Sequence, residues 1–184
     1  MSETLERYVR VADGFERRLQ AVKQSEWEQA SPCEGWTAFD VAAHVISTHL
    51  RMLSMLAERD TSPPAKPEEV AALWKSVSDE LKAALADPAV ASQVMPSMFG
   101  EQAFESLVGQ MLCCDTTIHT WDLARAIGAD ESLDAVEVSL GHTMLAGLGD
   151  GIRRPGGFDN IVEPSSEAPA DAQTAFLRFA GRNP

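Results

Sequence analysis

The sequence predicts an all-α protein, in which four long helices form a bundle and a fifth helix and a C-terminal extension follow. Apolar residues recur at three- and four-residue steps through most of the 184-residue chain, which is the period of an amphipathic helix. Proline and glycine cluster between these stretches, where they end helices. The length suits a single domain, residues 1–184, with the core bundle at about 1–150 and the extension at 151–184.

The first two predicted helices flank a short loop. The first covers residues 3 to about 28 and ends in the loop SPCEGW, where Pro32 and Gly35 prevent its continuation. The second begins after Thr37, an N-cap residue, because Asp40 three positions later can complete a capping box. The run TSPPAKP ends this second helix.

The remaining helices follow at regular intervals. The third covers 67–86, with its proline in the first turn, where a missing N–H costs nothing. The segment ASQVMPSMFG is predicted to be extended. The fourth and longest helix runs from 101 to about 127, and Gly128 caps it. A fifth helix covers 133–148, and a short last one covers 171–180.

Charge and cysteine content exclude several classes of protein. The chain has 15 basic and 28 acidic residues and a net charge of −13, which disfavours nucleic acids and anionic membrane surfaces as partners. It has neither an apolar run of about 20 residues nor a signal-peptide pattern at MSETLERYVR. Three cysteines, two of them adjacent, cannot make a disulfide framework, so we expect a cytoplasmic protein. The sequence is compatible with a homodimer.

The fourth helix carries ionisable residues on its apolar seam. At alternating four- and three-residue steps this seam contains Phe104, Val108, Met111, Asp115, Ile118 and Asp122. His119 lies one turn after Asp115. An unpaired carboxylate inside a bundle costs about 3–5 kcal/mol, so something must compensate it, and a cation does so most directly.

The spacing on this helix suits a metal ion. Asp115 and His119 are four residues apart and share a helix face, so both can bind one ion from the same side. A further protein ligand has to come from a facing helix, and the second helix offers His44 and His49. Periodicity alone does not choose between these two histidines.

The same residues also have purely structural interpretations. The pair on the fourth helix could be a hydrogen-bonded surface pair. His44 could be a core histidine bonded to a backbone carbonyl, and His49 an ordinary helix-face residue. Asp122 could accept a hydrogen bond from a ligand histidine, pair with Arg125 or cap the chain. Cys33 is predicted to be a partly buried, inert thiol. Three tryptophans are most simply core side chains: Trp36, Trp74 and Trp121.

Two motifs in this order resemble a known family. SPCEGWTAFDVAAHV and, some seventy residues later, DTTIHTWDLARAIG resemble the N-terminal metal-binding domain of the mycothiol-dependent maleylpyruvate isomerases, within the DinB-like superfamily of four-helix metal proteins. The final PADAQTAFLRFAGRNP resembles the end of short stand-alone members. The resemblance implies a DinB-like up-down four-helix bundle. It also implies metal ligation by His44, Asp115 and His119, and so favours His44 over His49.

The resemblance also has two departures. The isomerases have glutamate where this chain has the shorter Asp115. They carry a second, C-terminal domain, for which the roughly 35 residues after the fifth predicted helix are too few. We therefore expect a relative of the isomerases that does not itself isomerise maleylpyruvate.

The ligand set predicts the cofactor and the kind of reaction. Two imidazoles and one carboxylate leave an open position on Zn²⁺, although Ni²⁺, Fe²⁺ and Mn²⁺ accept the same donors. A coordinated thiol loses its proton, so the resemblance implies a transferase or isomerase that uses mycothiol as cosubstrate on a small electrophile. The alternatives are a metal-dependent hydrolase of a small molecule and a non-catalytic, metal-binding stress-response bundle. No catalytic acid or base is identified.

Overall fold

The computed structural model describes residues 2–97, 100–149, 153, 160–163 and 171–184, and most of these residues are helical. The helices are α1 Glu3–Ala21, α2 Ala38–Ser54, α3 Pro67–Ala86, α4 Pro88–Ala91, α5 Phe104–Leu107, α6 Cys113–Ile127, α7 Ala135–Leu148 and α8 Ala172–Phe179. A 3-10 turn, Gln24–Glu26, follows α1, and a π-helical segment, Val108–Leu112, joins α5 to α6. The predicted all-α class is confirmed.

Helices α1, α3, α2 and α6 form a four-helix ring, in which each helix packs on the next and α6 packs again on α1. Thr4 near the start of α1 lies beside Gly109, just before α6, and Arg18 near the end of α1 binds Asp130, just after α6. Helices α1 and α6 therefore run in the same direction. This refines the predicted up-down order, in which the first and fourth helices would run in opposite directions.

Helix α2 runs antiparallel to α6. Thr48, late in α2, lies near Asp115, early in α6, whereas Cys33, before α2, lies near Asp122 in the third turn of α6. Residues early in α2 therefore lie near residues late in α6, and residues late in α2 lie near residues early in α6.

Local signals in the sequence place several helix ends correctly. The Thr37 hydroxyl accepts from the backbone N–H of Asp40, whose carboxylate accepts from the Thr37 N–H, so the predicted capping box is confirmed. Helix α3 covers the predicted residues. Gly128 ends α6 in the left-handed conformation, with φ of 65°, as predicted.

Three predicted boundaries are wrong. Helix α2 ends at Ser54, several residues before the run TSPPAKP. The first helix ends at Ala21 rather than near residue 28, because the Glu26 side chain caps a separate 3-10 turn by accepting from the Lys23 backbone. The fourth helix begins at Phe104 rather than at residue 101. The preceding residues instead form β2, Gly100–Ala103.

A two-stranded antiparallel hairpin explains the later start of the fourth helix. β1, Val94–Ser97, pairs with β2 in a register that runs from Val94 opposite Ala103 to Ser97 opposite Gly100. The prediction of an extended segment is thus confirmed for 94–97, while residues 98 and 99 lie outside the described residues. Pairing with β1 gives residues 101–103 a backbone partner that outweighs their preference for helix.

The π-helical segment changes the phase of the fourth long helix. Met111, placed on the apolar seam by simple periodicity, is 37% exposed, whereas Leu112 is buried. A π turn accommodates one more residue than an α turn, so the buried face moves by one position. The seam prediction is wrong at Met111, although Phe104 and Val108 are buried as predicted.

Two hydrophobic clusters sandwich α6. The larger cluster fills the four-helix ring. The smaller one lies between the outer face of α6 and helices α7 and α8, and its buried members are Cys114, Ile118, Trp121, Val138, Leu145, Phe176, Leu177 and Ala180. Helices α7 and α8 are the predicted fifth and last helices, and each of their ends lies within two residues of the predicted position. Among the described helices, none combines the length and apolarity that crossing a bilayer requires.

Candidate metal centre

The loop before α2 is held in one shape by its own backbone. The Ser31 N–H donates to the Trp36 carbonyl at 2.8 Å, and the Trp36 N–H donates to the Cys33 carbonyl at 3.0 Å. Gly35 occupies the third position of the resulting turn with φ of 76°, a conformation that L side chains disfavour there. The loop thereby presents Cys33 and Trp36 towards α6.

Three side chains from two helices then meet beside this loop. Helix α2 contributes His44, and α6 contributes Asp115 and His119. The Nε2 atoms of the two imidazoles lie 3.4 Å and 3.5 Å from the same carboxylate oxygen, Asp115 Oδ1. One ligand atom from each residue lies within 4.8 Å of the other two. The structure brings together the three residues that were predicted as metal ligands.

These separations suit a shared ion better than direct hydrogen bonds. Charge-assisted N–H···O bonds are about 2.7–2.9 Å long. The observed 3.4 Å and 3.5 Å are well beyond that range. Ligand atoms about 2.0–2.2 Å from a tetrahedral zinc ion lie about 3.4 Å from one another. The donor set and its spacing therefore fit a divalent ion.

The three candidate ligands are accessible from one side. The side chains of His44 and Asp115 are each 28% exposed, whereas that of His119 is 8% exposed. The half-buried Trp36 ring lies 5.0 Å from the His44 ring and stacks on His119 at 5.9 Å. Trp36 is only partly buried: its ring packs against the edge of the core and lines the candidate centre. Trp74 and Trp121 are buried as predicted.

A fully buried carboxylate supports His119 from behind. Asp122 is 0% exposed, and its Oδ2 lies 2.8 Å from His119 Nδ1. Arg182, from the C-terminal segment, donates to both Asp122 oxygens, and the Cys33 thiol donates to Oδ2 at 3.3 Å. With its Nδ1 proton directed at Asp122, His119 turns Nε2 towards Asp115, where Nε2 would bind an ion in place of a proton.

The electrostatics of the cluster follow from these contacts. Burial disfavours the charged form of Asp115, but the imidazoles of His119 and His44 outweigh burial and hold its pKa well below the usual range. Burial lowers the pKa of His119, but Asp115 and Asp122 outweigh it and raise that pKa well above 6.5. Burial raises the pKa of Asp122, but His119 and Arg182 lower it to about 2. Both carboxylates are thus ionised at neutral pH.

The other histidine on α2 lies in the bundle core. His49 is 0% exposed and its Nδ1 donates to the Val45 carbonyl at 2.7 Å, so it is the core histidine that was considered for His44. Its Nε2 has no hydrogen-bond partner among the described residues. Burial lowers the pKa of His49 to about 4. The interpretation of His49 as an ordinary helix-face residue is therefore wrong.

Sequence reasoning missed part of the arrangement. Of the roles considered for Asp122, the structure supports contact with the candidate ligand His119, since Arg125 pairs with Glu131 instead. Arg182 was not singled out, because its pairing with Asp122 depends on how the C-terminal segment docks. The only signal available was a lone arginine after Gly181, near the end of the chain.

Comparisons with known proteins identify the family of the chain. The family described as the mycothiol maleylpyruvate isomerase N-terminal domain matches residues 9–124, which is well over half of the chain. Two uncharacterised Mycobacterium tuberculosis proteins, MT0763 of strain CDC 1551 / Oshkosh and Rv0738 of strain ATCC 25618 / H37Rv, are 29% identical over 173 residues, covering 91% of this chain and 93% of theirs. No solved structure matches the chain significantly. The matched range contains all three candidate ligands, and the chain belongs to the family of the mycothiol maleylpyruvate isomerase N-terminal domain.

Proposed function

We propose that this protein binds one divalent metal ion through His44, Asp115 and His119 and uses it, with a low-molecular-weight thiol of the mycothiol type, to transfer or isomerise a small electrophile. The observation that carries the metal part is the spacing of the two Nε2 atoms, 3.4 Å and 3.5 Å from one carboxylate oxygen. The thiol part rests on the description of the family.

The charge balance of the site supports a cation there. Asp115 and Asp122 contribute two negative charges and Arg182 contributes one positive charge, so the cluster needs a further positive charge. A proton on His119 supplies it in the metal-free protein, and a divalent ion would displace that proton. A largely buried cluster with an excess negative charge is costly unless a further cation joins it. Zn²⁺ suits two imidazole nitrogens and a carboxylate oxygen, and Ni²⁺, Fe²⁺ or Mn²⁺ would accept the same donors.

A divalent ion held here would lower the pKa of a coordinated thiol and so supply a thiolate nucleophile at neutral pH. The protein residues orient and shield this chemistry. Asp122 orients the His119 ring through its Nδ1, and the Nε2 atoms of His44 and His119 both lie near the same oxygen of Asp115. The Trp36 ring covers one side of the two imidazoles, which limits access of water there.

Metal and thiol can be tested separately with Co²⁺, whose visible spectrum reports its ligands. Titration of the metal-free protein should give one tetrahedral-type cobalt spectrum per chain, and Asp115→Asn should weaken binding strongly because it removes the charged ligand. Addition of a low-molecular-weight thiol should then produce a thiolate-to-cobalt charge-transfer band.

Cys33 is the matched control, since its thiol lies close to the candidate centre. The thiol-dependent band should persist in Cys33→Ser, whereas its loss there would attribute the signal to the protein's own cysteine. Wild-type protein without stoichiometric cobalt binding would refute the metal part. Cobalt binding whose spectrum does not respond to thiol, together with product formation at full rate without added thiol, would favour a hydrolase that activates water.

A further inference from the structure

One arginine links the C-terminal segment to the candidate metal centre. Arg182 follows α8, is 8% exposed, and directs its guanidinium at Asp122: Nε donates to Oδ1 at 3.0 Å and Nη2 donates to Oδ2 at 2.9 Å. Its Nη1 donates to the Ala180 carbonyl at 3.1 Å, and its Nη2 lies 3.2 Å from the Cys33 sulfur. The guanidinium thus joins α6, the loop before α2 and the end of the chain.

The bidentate contact of Arg182 fixes the orientation of the Asp122 carboxylate. A guanidinium that donates to both oxygens of a carboxylate fixes the plane of that group, which a single-point contact cannot do. With its plane fixed, Asp122 presents Oδ2 to Nδ1 of His119 at 2.8 Å. The orientation of the His119 ring therefore depends on Arg182 through the Asp122 carboxylate.

We infer that Arg182 is a positioning residue of the metal centre, which acts through Asp122 to hold the His119 ring with Nδ1–H towards Asp122 and Nε2 towards the ion. This inference rests on the proposed metal function and extends it to the C-terminal segment. It assigns to the last residues of the chain a part in the affinity for the metal, beyond closing the hydrophobic cluster between α6, α7 and α8.

Zinc affinity of Arg182 variants, measured by competition with a chelator, tests the inference. Changes in groups that orient a metal ligand typically cost about 10–100-fold in affinity, so we expect a loss of this size for Arg182→Gln. Arg182→Lys should recover only part of it, since an ammonium cannot hold both oxygens in one plane. Arg18→Gln is the matched control: Arg18 is 7% exposed and binds Asp130, away from the centre, so its loss should leave the affinity unchanged.

A double-mutant cycle separates positioning from general destabilisation. If Arg182 acts through Asp122, the double variant with Asp122→Asn and Arg182→Gln should bind zinc no more weakly than Asp122→Asn alone. Additive losses would overturn the inference, as would an Arg182→Gln variant that folds and binds zinc like wild type. Thermal unfolding of each metal-free variant identifies losses that come only from a poorly folded chain.

A readout without metal keeps this test independent of the proposed function. In metal-free wild type, the hydrogen-bonded Nδ1 proton of His119 should exchange slowly in nuclear magnetic resonance spectra, and it should exchange much faster in Arg182→Gln but not in Arg18→Gln. If wild type binds no zinc yet shows this difference, the metal function is refuted while the positioning by Arg182 stands. Equal exchange in all three proteins would overturn the positioning itself.

Discussion

Replacing the two histidines of α2 one at a time gives opposite patterns of stability and metal response. His44 is partly exposed and faces Asp115, so His44→Ala should change the free energy of unfolding of the metal-free protein by no more than about 1 kcal/mol. His49 is 0% exposed, and its ring packs 4.9 Å from Trp74 and 5.8 Å from Tyr8. Its truncation to alanine should cost about 2–4 kcal/mol, as for other buried large side chains.

Zinc should stabilise only one of the two variants. At a free concentration about 100 times the Kd, a ligand that binds only the folded state adds about 2.7 kcal/mol. For a chain of this length that is a rise of roughly 5–10 °C in the midpoint of thermal unfolding. We expect this rise in wild type and in His49→Ala, which starts from a lower midpoint, and none in His44→Ala.

Thermal unfolding with and without zinc, followed by circular dichroism, measures both effects in one experiment. His49→Leu serves as a companion variant, because it keeps more of the buried volume and should fold even where alanine does not. A zinc-dependent rise that survives His44→Ala but disappears in both His49 variants would show that the ligand on α2 has been assigned to the wrong histidine.

Three further predictions follow from single contacts. Zinc affinity should fall at least about tenfold between about pH 7.5 and about pH 5.5, measured by chelator competition, because protons displace the ion from His44 and His119; constant affinity would contradict imidazole ligation. The pKa of His49 falls from 6.5 to about 4 on folding, so the unfolded chain binds the extra proton. Stability should therefore drop by about 3 kcal/mol as the pH falls from about 6.5 to about 4, and urea titrations should show no such drop in His49→Gln. A Cβ at Gly141 would lie 2.9 Å from ring atoms of Phe176, so Gly141→Ala should cost about 1–3 kcal/mol, and an unchanged urea midpoint would contradict this packing of α7 on α8.

The sequence predicts those parts of the fold that depend on neighbouring residues. The start of α2 is set by Thr37 and Asp40, which are three residues apart, and the end of α6 is set by Gly128. The strand at 100–103 has no such local signal, because its structure comes from pairing with β1. The π-helical segment also escapes periodicity, since one extra residue in a turn changes the phase without changing the composition.

The same distinction applies to the candidate centre. Asp115 and His119 could be paired from their spacing, because four residues on a helix fix which side chains share a face. The choice of His44 over His49 needed the family motif, since both fall on apolar stripes of α2. The structure then brings His44 to the two residues on α6 and places His49 in the core. Spacing along one helix is encoded locally, whereas the facing residue depends on how two helices are rotated.

The position of α6 between two hydrophobic clusters explains why its polar residues form one connected system. A helix packed on one side could leave its carboxylates in solvent, but α6 faces the four-helix ring on one side and α7 and α8 on the other. Polar side chains on such a helix must find partners along the boundary between the two clusters. His119 lies on that boundary, with Nε2 near Asp115 and Nδ1 on Asp122, which binds Arg182 of the C-terminal segment. The C-terminal extension therefore supplies the positive charge that allows Asp122 to be buried behind His119, and the candidate centre requires both layers of the fold.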